Sequence, residues 1–180
     1  MVALQAAHAQ PWRHGTGATR ELLAWPSQGD ARVRILVDDV QAAAALPRVP
    51  GSECWFAVLE GEGVLLRAPH GKHRLTRGGE PLRLDAGAAG ECKPLRGSAR
   101  NLHVLASPGS AVLLRVRGEV AFATGAPTLL AVYAHAAAAQ VRAGAGRLDV
   151  PAYHLGWIVQ QQPLAGLVAG ADALWLEASP

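Results

Sequence analysis

Short apolar or alternating runs recur along the chain, and turn residues separate them. The runs occupy residues 33–37, 55–59, 63–67, 82–84, 102–105, 111–116, 129–133 and 174–176. Each run has the length of a strand, and the breaks between runs are rich in Gly, Pro and Ser. Regular spacing of this kind predicts an all-β fold of antiparallel sheets, arranged as a sandwich or barrel.

Two alanine-rich stretches are the only helix candidates in this pattern. Residues 40–46 have high helix propensity, but the stretch is too short to be stable alone and Pro47 ends it. The alanines at 134–139 follow a strand-like run and precede a turn at Gly144 and Gly146. We therefore predict strand–turn–strand there, and little helix overall.

Composition places the chain among globular proteins. Half of its 180 residues are hydrophobic, and the formal net charge is only +3, so an intrinsically disordered chain is excluded. No apolar run approaches the roughly 18 residues that a membrane helix needs. Polar residues interrupt the first twenty positions, which do not resemble a signal peptide. We expect a cytoplasmic protein that does not associate with membranes.

The basic balance of the chain comes from dispersed arginines. One cluster, at residues 70–77, contains two histidines, one lysine and two arginines without an interleaved aromatic residue. We interpret this cluster as a solvated hairpin loop, and predict no direct binding of nucleic acid. Cys54 and Cys92 lack CxxC spacing and are predicted to be buried, reduced thiols.

Four ordered blocks of sequence carry a resemblance to a known family. They are PWRHGTGATRE at 11–21, LPRVPGSE at 46–53 leading into VLEGEG at 58–63, LRLD at 82–85 and RNLHVL at 100–105. With the tail at 170–177, they resemble the HutD/Ves family of bicupin proteins. The resemblance implies two cupin (RmlC-like) jelly-roll halves, residues 1–110 with the signature block and residues 111–180.

The same resemblance implies a function. It suggests a bacterial, non-catalytic protein that binds a small anionic metabolite, a carboxylate of histidine utilisation, and acts as a regulator. We expect no cofactor, and no resident metal because the chain lacks the His-x-His pair of metal-binding cupins. The resemblance also implies a homodimer, because cupin sheets often pair.

Candidate ligand-binding residues follow from the signature and from the blocks downstream. They are Trp12, Arg13, His14, Gly15, Gly17, Thr19, Glu21, Cys54, Asn101 and His103. The glycines would let backbone N–H groups approach an anion, and Arg13 could clamp a carboxylate. Thr19 and Glu21, two apart on a strand, would point to the same face. His14, Thr16, Cys54, Asn101 and His103 depart from the family pattern, which makes a different ligand specificity plausible.

Two other functions are compatible with these residues. His14, His103 and Cys54 have the side chains of a zinc or nucleophilic site, which would make the protein a divergent isomerase or hydrolase. The departures would also suit a structural or interaction module with a decayed pocket. The sequence has no His-x-His pair, no Gly-x-Ser-x-Gly elbow and no nucleotide-binding glycine motif.

Overall fold

The computed structural model describes residues 1–12, 17–88, 90–125 and 127–179. Its strands are β1 (Val2–Ala3), β2 (Ala9–Pro11), β3 (Gly17–Trp25), β4 (Val33–Val40), β5 (Ala44–Ala45), β6 (Glu53–Glu60), β7 (Val64–Ala68), β8 (Gly71–Leu75), β9 (Leu82–Asp85), β10 (Glu91–Pro94), β11 (Ala99–Ala106), β12 (Ala111–Thr124), β13 (Thr128–Ala134), β14 (Ala139–Ala143), β15 (Gly146–Val150), β16 (His154–Gln160) and β17 (Leu164–Ala178). The described residues contain one helix, a 3-10 turn at Leu4–Ala6. They contain no helix long and apolar enough to cross a bilayer.

The chain divides into two compact units. The first unit is Ala7–Gly109, and the second combines Met1–Ala6 with the chain from Ser110 onward. The sequence predicts two cupin halves with the boundaries 1–110 and 111–180. That assignment remains a prediction.

The first unit consists of two antiparallel sheets. One has six strands in the order β2-β3-β4-β11-β6-β9, and the other has four in the order β5-β10-β7-β8. Phe56 and Val58 from the larger sheet pack in one cluster with Val64, Leu66 and Cys92 from the smaller sheet. The core of this unit therefore lies between the two sheets.

The second unit is a curled sheet organised by two long strands. Strands β12 and β17 pair along almost their full length, with an irregularity between Val116 and Gly118. The first part of β17 pairs with β14 and its last part pairs with β13, so one strand joins both ends of the sheet. The core contains Val116, Val132 and Trp175, and the Trp175 ring lies 4.7 Å from that of Phe122.

The all-β prediction is confirmed, and each predicted run overlaps a strand. Strand–turn–strand is also correct for residues 139–150, where β14 and β15 form a hairpin. Residues 40–46 form no helix, since β4 continues through Val40 and Ala44–Ala45 form β5. The basic cluster is not simply a loop, because Gly71–Leu75 is strand β8 paired with β7.

Candidate functional site

A cavity of about 130 Å³ lies within the first unit. Its described lining is Thr19, Leu36, Asp38, Leu46, Pro47, Cys54, Ala68, Leu84, Asp85, Ala86, Ala88, Gly90, His103 and Leu105. Most of these side chains are apolar, and a few polar groups converge among them. This combination is typical of a small-molecule site.

Cross-strand register places the polar groups together. Thr19 of β3 and Asn101 of β11 both lie opposite Asp38 of β4. His103 lies two residues along β11 and opposite Leu36. Because directly opposed residues share a face of the sheet, these polar side chains share the face on which the cavity lies.

Trp12, Thr19 and Asp38 form a chain of hydrogen bonds. The indole Nε1 of Trp12 donates to Thr19 Oγ1 at 2.7 Å, and the Thr19 hydroxyl donates to Asp38 Oδ1 at 2.6 Å. Asp38 is only 3% exposed, so the hydroxyl serves a buried carboxylate. Thr19 thereby fixes the position of both partners.

His103 approaches the second oxygen of Asp38. Its Nε2 atom lies 3.5 Å from Asp38 Oδ2, and no group in the described part of the chain completes a hydrogen bond with that nitrogen. Its ring centroid is 4.4 Å from that of Phe56. Burial lowers the pKa of His103 below its ordinary value of 6.5, and the opposing charge of Asp38 does not cancel this effect. The imidazole is therefore neutral at pH 7.

Cys54 lines the cavity as a protonated thiol. Burial, assisted by the negative charge of Asp38, raises the pKa of Cys54 to about 12. A nucleophilic cysteine needs the opposite shift, toward the thiolate. Cys54 and Cys92 are both free and buried, as predicted for their burial.

Asn101 has an unusual environment beside the cavity. Its side chain is completely buried, and neither its Oδ1 nor its Nδ2 finds a hydrogen-bond partner among the described residues. Asn101 is not one of the residues lining the cavity. An unpaired buried amide costs about 1–3 kcal/mol, which calls for a water or ligand atom as partner.

Glu21 is not among the cavity-lining residues. Its carboxylate receives a hydrogen bond from Arg34 Nη1 at 2.5 Å and another from Gln28 at 3.2 Å. The negative charge of Glu21 is therefore already paired with Arg34. Its role as a ligand contact stays a prediction.

Gly17 begins β3 where the backbone passes close to Trp12. A Cβ atom there would lie 2.5 Å from the carbonyl oxygen of Asp39 and 3.3 Å from the Trp12 ring. Gly17 therefore provides close packing. The other signature candidates, Arg13, His14 and Gly15, lie outside the described residues.

The family model HutD matches residues 4–176. The chain belongs to the HutD family. None of the curated proteins used for comparison matches this HutD-family chain.

Solved structures show the fold of this HutD-family chain. A conserved protein of unknown function from Pseudomonas aeruginosa is 20% identical, with a TM-score of 0.82 over 98% of this chain and 96% of its own. HutD from Pseudomonas fluorescens is 18% identical, with a TM-score of 0.81 over 98% and 95%. A cupin 2 conserved barrel domain protein from Leptotrichia buccalis is 9% identical, with a TM-score of 0.59 over 95% and 92%. The cupin-like fold predicted from the sequence is thus confirmed.

Asp38 is the central site residue of this HutD-family chain that sequence reasoning missed. A signal was present, because Asp38 and Asp39 interrupt the strand sequence VRILVDDV and one of them must face inward. The apolar wall from Leu36, Leu84 and Leu105 was also missed, since apolar strand residues read as ordinary core.

The chemical character of the cavity follows from its described polar side chains. No group of three or more His, Cys, Asp or Glu in the described ranges is placed to hold a metal ion. Cys54 and His103 both line the cavity, but one is a protonated thiol and the other a neutral imidazole. The site offers hydrogen-bond acceptors and an apolar wall.

Proposed function

We propose that this HutD-family protein is a non-catalytic small-molecule-binding protein with a regulatory role. The supporting observation is the cavity in the first unit, in which apolar walls surround half-buried Thr19 and buried Asp38 and His103. A sensor needs a site that recognises a metabolite without converting it. Protonated Cys54 and neutral His103 are consistent with such a site.

The family resemblance supplies the finer part of the proposal. The ligand is a small metabolite of histidine utilisation that carries a carboxylate, and the protein acts in the bacterial cytoplasm as a homodimer of bicupin chains. Membership in the HutD family supports this assignment.

A ligand panel tests the proposal. We expect at least one small carboxylate or histidine-pathway metabolite to raise the unfolding midpoint of the protein. A ligand present at 100 times its Kd adds about 2.7 kcal/mol to the free energy of unfolding. Isothermal titration calorimetry then gives the stoichiometry.

Trp12→Ala locates the binding at the proposed cavity. It removes the donor to Thr19, so ligand affinity should fall. Trp157→Ala is the matched control, because Trp157 is 38% exposed and belongs to the second unit. If no compound in the panel binds, or if Trp12→Ala and Trp157→Ala bind equally well, the proposed function is wrong.

A further inference from the structure

The described lining of the cavity contains charge of one sign. Its described lining includes two carboxylates, Asp38 and Asp85, and no lysine or arginine. Asp85 is exposed, whereas Asp38 is only 3% exposed. The described lining therefore presents uncompensated negative charge to whatever occupies the cavity.

Among the described residues, Asp38 receives one complete hydrogen bond from a side chain. Thr19 donates to Oδ1, while His103 Nε2 stands 3.5 Å from Oδ2 without the geometry of a hydrogen bond. A buried carboxylate is costly unless it is paired and hydrogen-bonded. Among the described side chains, Asp38 Oδ2 therefore has no strong donor, and Asp38 lines the cavity.

The neighbouring residue shows how this chain pairs a carboxylate when pairing is structural. Asp39 receives a hydrogen bond from Arg20 Nη1 at 2.5 Å and another from Arg100 Nε at 2.6 Å. Alternation along β4 puts Asp39 on the opposite face from Asp38. The two arginines serve Asp39, and neither lines the cavity.

Asn101, beside Asp38, is a second buried polar side chain that lacks hydrogen-bond partners among the described residues. It lies directly opposite Asp38 across the β4–β11 pair, and its amide has neither donor nor acceptor partner in the described ranges. Two adjacent buried polar groups thus await a partner that the described chain does not provide. A ligand donor in the cavity would complete the hydrogen bonding of Asp38 Oδ2. Asn101 does not line the cavity, so a bridging water would have to connect its amide to the ligand.

We propose that the ligand of this cavity presents a cationic N–H group, such as a protonated amine or amidine, to Asp38 Oδ2. Its apolar body then packs against Leu36, Leu84 and Leu105. A carboxylate on the same ligand points away from Asp38. The inference rests on the proposed function and specifies which end of the ligand contacts Asp38.

Three probes of similar shape and different charge test the inference. They are benzylamine, benzyl alcohol and benzoate, and a dry cavity of about 150 Å³ is known to hold benzene. Calorimetry on the full chain at pH 7 measures each Kd. We expect benzylamine to bind at least ten times more tightly than benzoate, with benzyl alcohol between them.

Asp38→Asn adds a test on the protein side. The amide keeps an acceptor for Thr19 but loses the charge, so benzylamine affinity should fall at least tenfold while benzyl alcohol affinity changes little. Asp39→Asn is the matched control, because it removes the adjacent charge on the opposite face and should leave the order of the three probes unchanged.

The possible results separate the two proposals. Benzoate binding as tightly as benzylamine, or Asp38→Asn leaving benzylamine affinity unchanged, overturns the inference and leaves the proposed function standing. The comparison of probes on the unaltered chain holds even if Asp38→Asn fails to fold. If neither these probes nor any member of the metabolite panel binds, both proposals fall.

Discussion

Thr19 connects two side chains that would otherwise lack a partner. Its hydroxyl accepts from Trp12 and donates to Asp38, and both contacts are partly buried. Its methyl group contributes nothing to either bond. The hydroxyl itself is therefore what positions this end of the cavity.

Replacing that hydroxyl gives a direct stability prediction. Thr19→Val keeps the shape of the side chain but leaves the Trp12 indole and Asp38 Oδ1 unpaired, so the free energy of unfolding should fall by about 1–3 kcal/mol. Thr19→Ser keeps both hydrogen bonds and should lose much less. Urea denaturation measures both variants, and equal losses would contradict this account.

The burial of His103 predicts how the stability of the protein changes with pH. Because burial lowers its pKa in the folded state below 6.5, the unfolded chain binds the proton more tightly. The stability that the neutral imidazole provides is complete above pH 6.5 and is lost as the pH falls through the interval below that value.

The measurement is a difference between variants. From pH 6.5 downward, wild type should lose up to about 1.4 kcal/mol per pH unit more than His103→Asn. His70→Asn, at an exposed position, should follow wild type. Asp39 does not interfere: burial alone would raise the pKa of Asp39, but hydrogen bonds from Arg100 and Arg20 hold it below 3.8. Parallel curves for wild type and His103→Asn would disprove the assignment.

At the scale of the elements, the start of β3 is packed closely against the Trp12 segment and the backbone of β4. The backbone N–H of Trp12 donates to the carbonyl oxygen of Gly17 at 3.1 Å, and no space remains for a Cβ at Gly17. The glycine therefore keeps the Trp12 segment against the sheet.

Gly17→Ala tests this close packing. The added methyl group meets the carbonyl oxygen of Asp39, a backbone atom, so we expect a loss of about 1–3 kcal/mol of stability and weaker ligand binding. Gly29→Ala is the matched control, since a Cβ there meets nothing within 4 Å. Its effect should stay within about 0.5 kcal/mol. Thermal and urea unfolding distinguish the two, and a neutral Gly17→Ala would refute the role.

The elements also show which parts of the fold the sequence could predict. Apolar runs identified eight of the strands in part, because burial produces the pattern. The runs at 111–116 and 174–176 extend to Ala111–Thr124 and Leu164–Ala178, since strand pairing continues where the side chains are exposed. Strand β3 is not among the apolar runs, because its residues are mostly half-buried and do not alternate. Only the signature block indicated a strand there, at Thr19 and Glu21.

The candidate site was predictable in part for the same reason. Thr19, Cys54 and His103 were predicted from the signature and later blocks, and all three line the cavity. To predict Asp38 as a site residue, one must know the registers between β3, β4 and β11. No local sequence pattern determines these registers. A sequence shows residue types, but only strand pairing shows which of them share a face.

At the scale of the whole molecule, the second unit is closed by residues far apart in the chain. Strand β1 pairs with β16, and the backbone N–H of Leu4 donates to the carbonyl oxygen of Tyr153 at 2.9 Å. Leu4 itself is only 5% exposed. The first residues of the chain are therefore structural parts of this unit.

Leu4→Ala should destabilise that unit specifically. Loss of a buried leucine side chain costs about 2–5 kcal/mol, and amide hydrogen exchange should accelerate in His154–Gln160 before it does in β3 or β4. Leu148→Ala is the control, because Leu148 is 36% exposed. Unchanged protection in β16 would contradict the anchoring role of Leu4.

The β1–β16 pair also has a consequence for synthesis on the ribosome. Val2 pairs with Leu155, and at about 5–20 residues per second the partner strand is made roughly 8–30 s after Val2. Throughout that interval the nascent segment has no strand to join. The second unit thus completes its sheet late in translation, so a pause between the two segments would prolong the exposure of an unpaired edge.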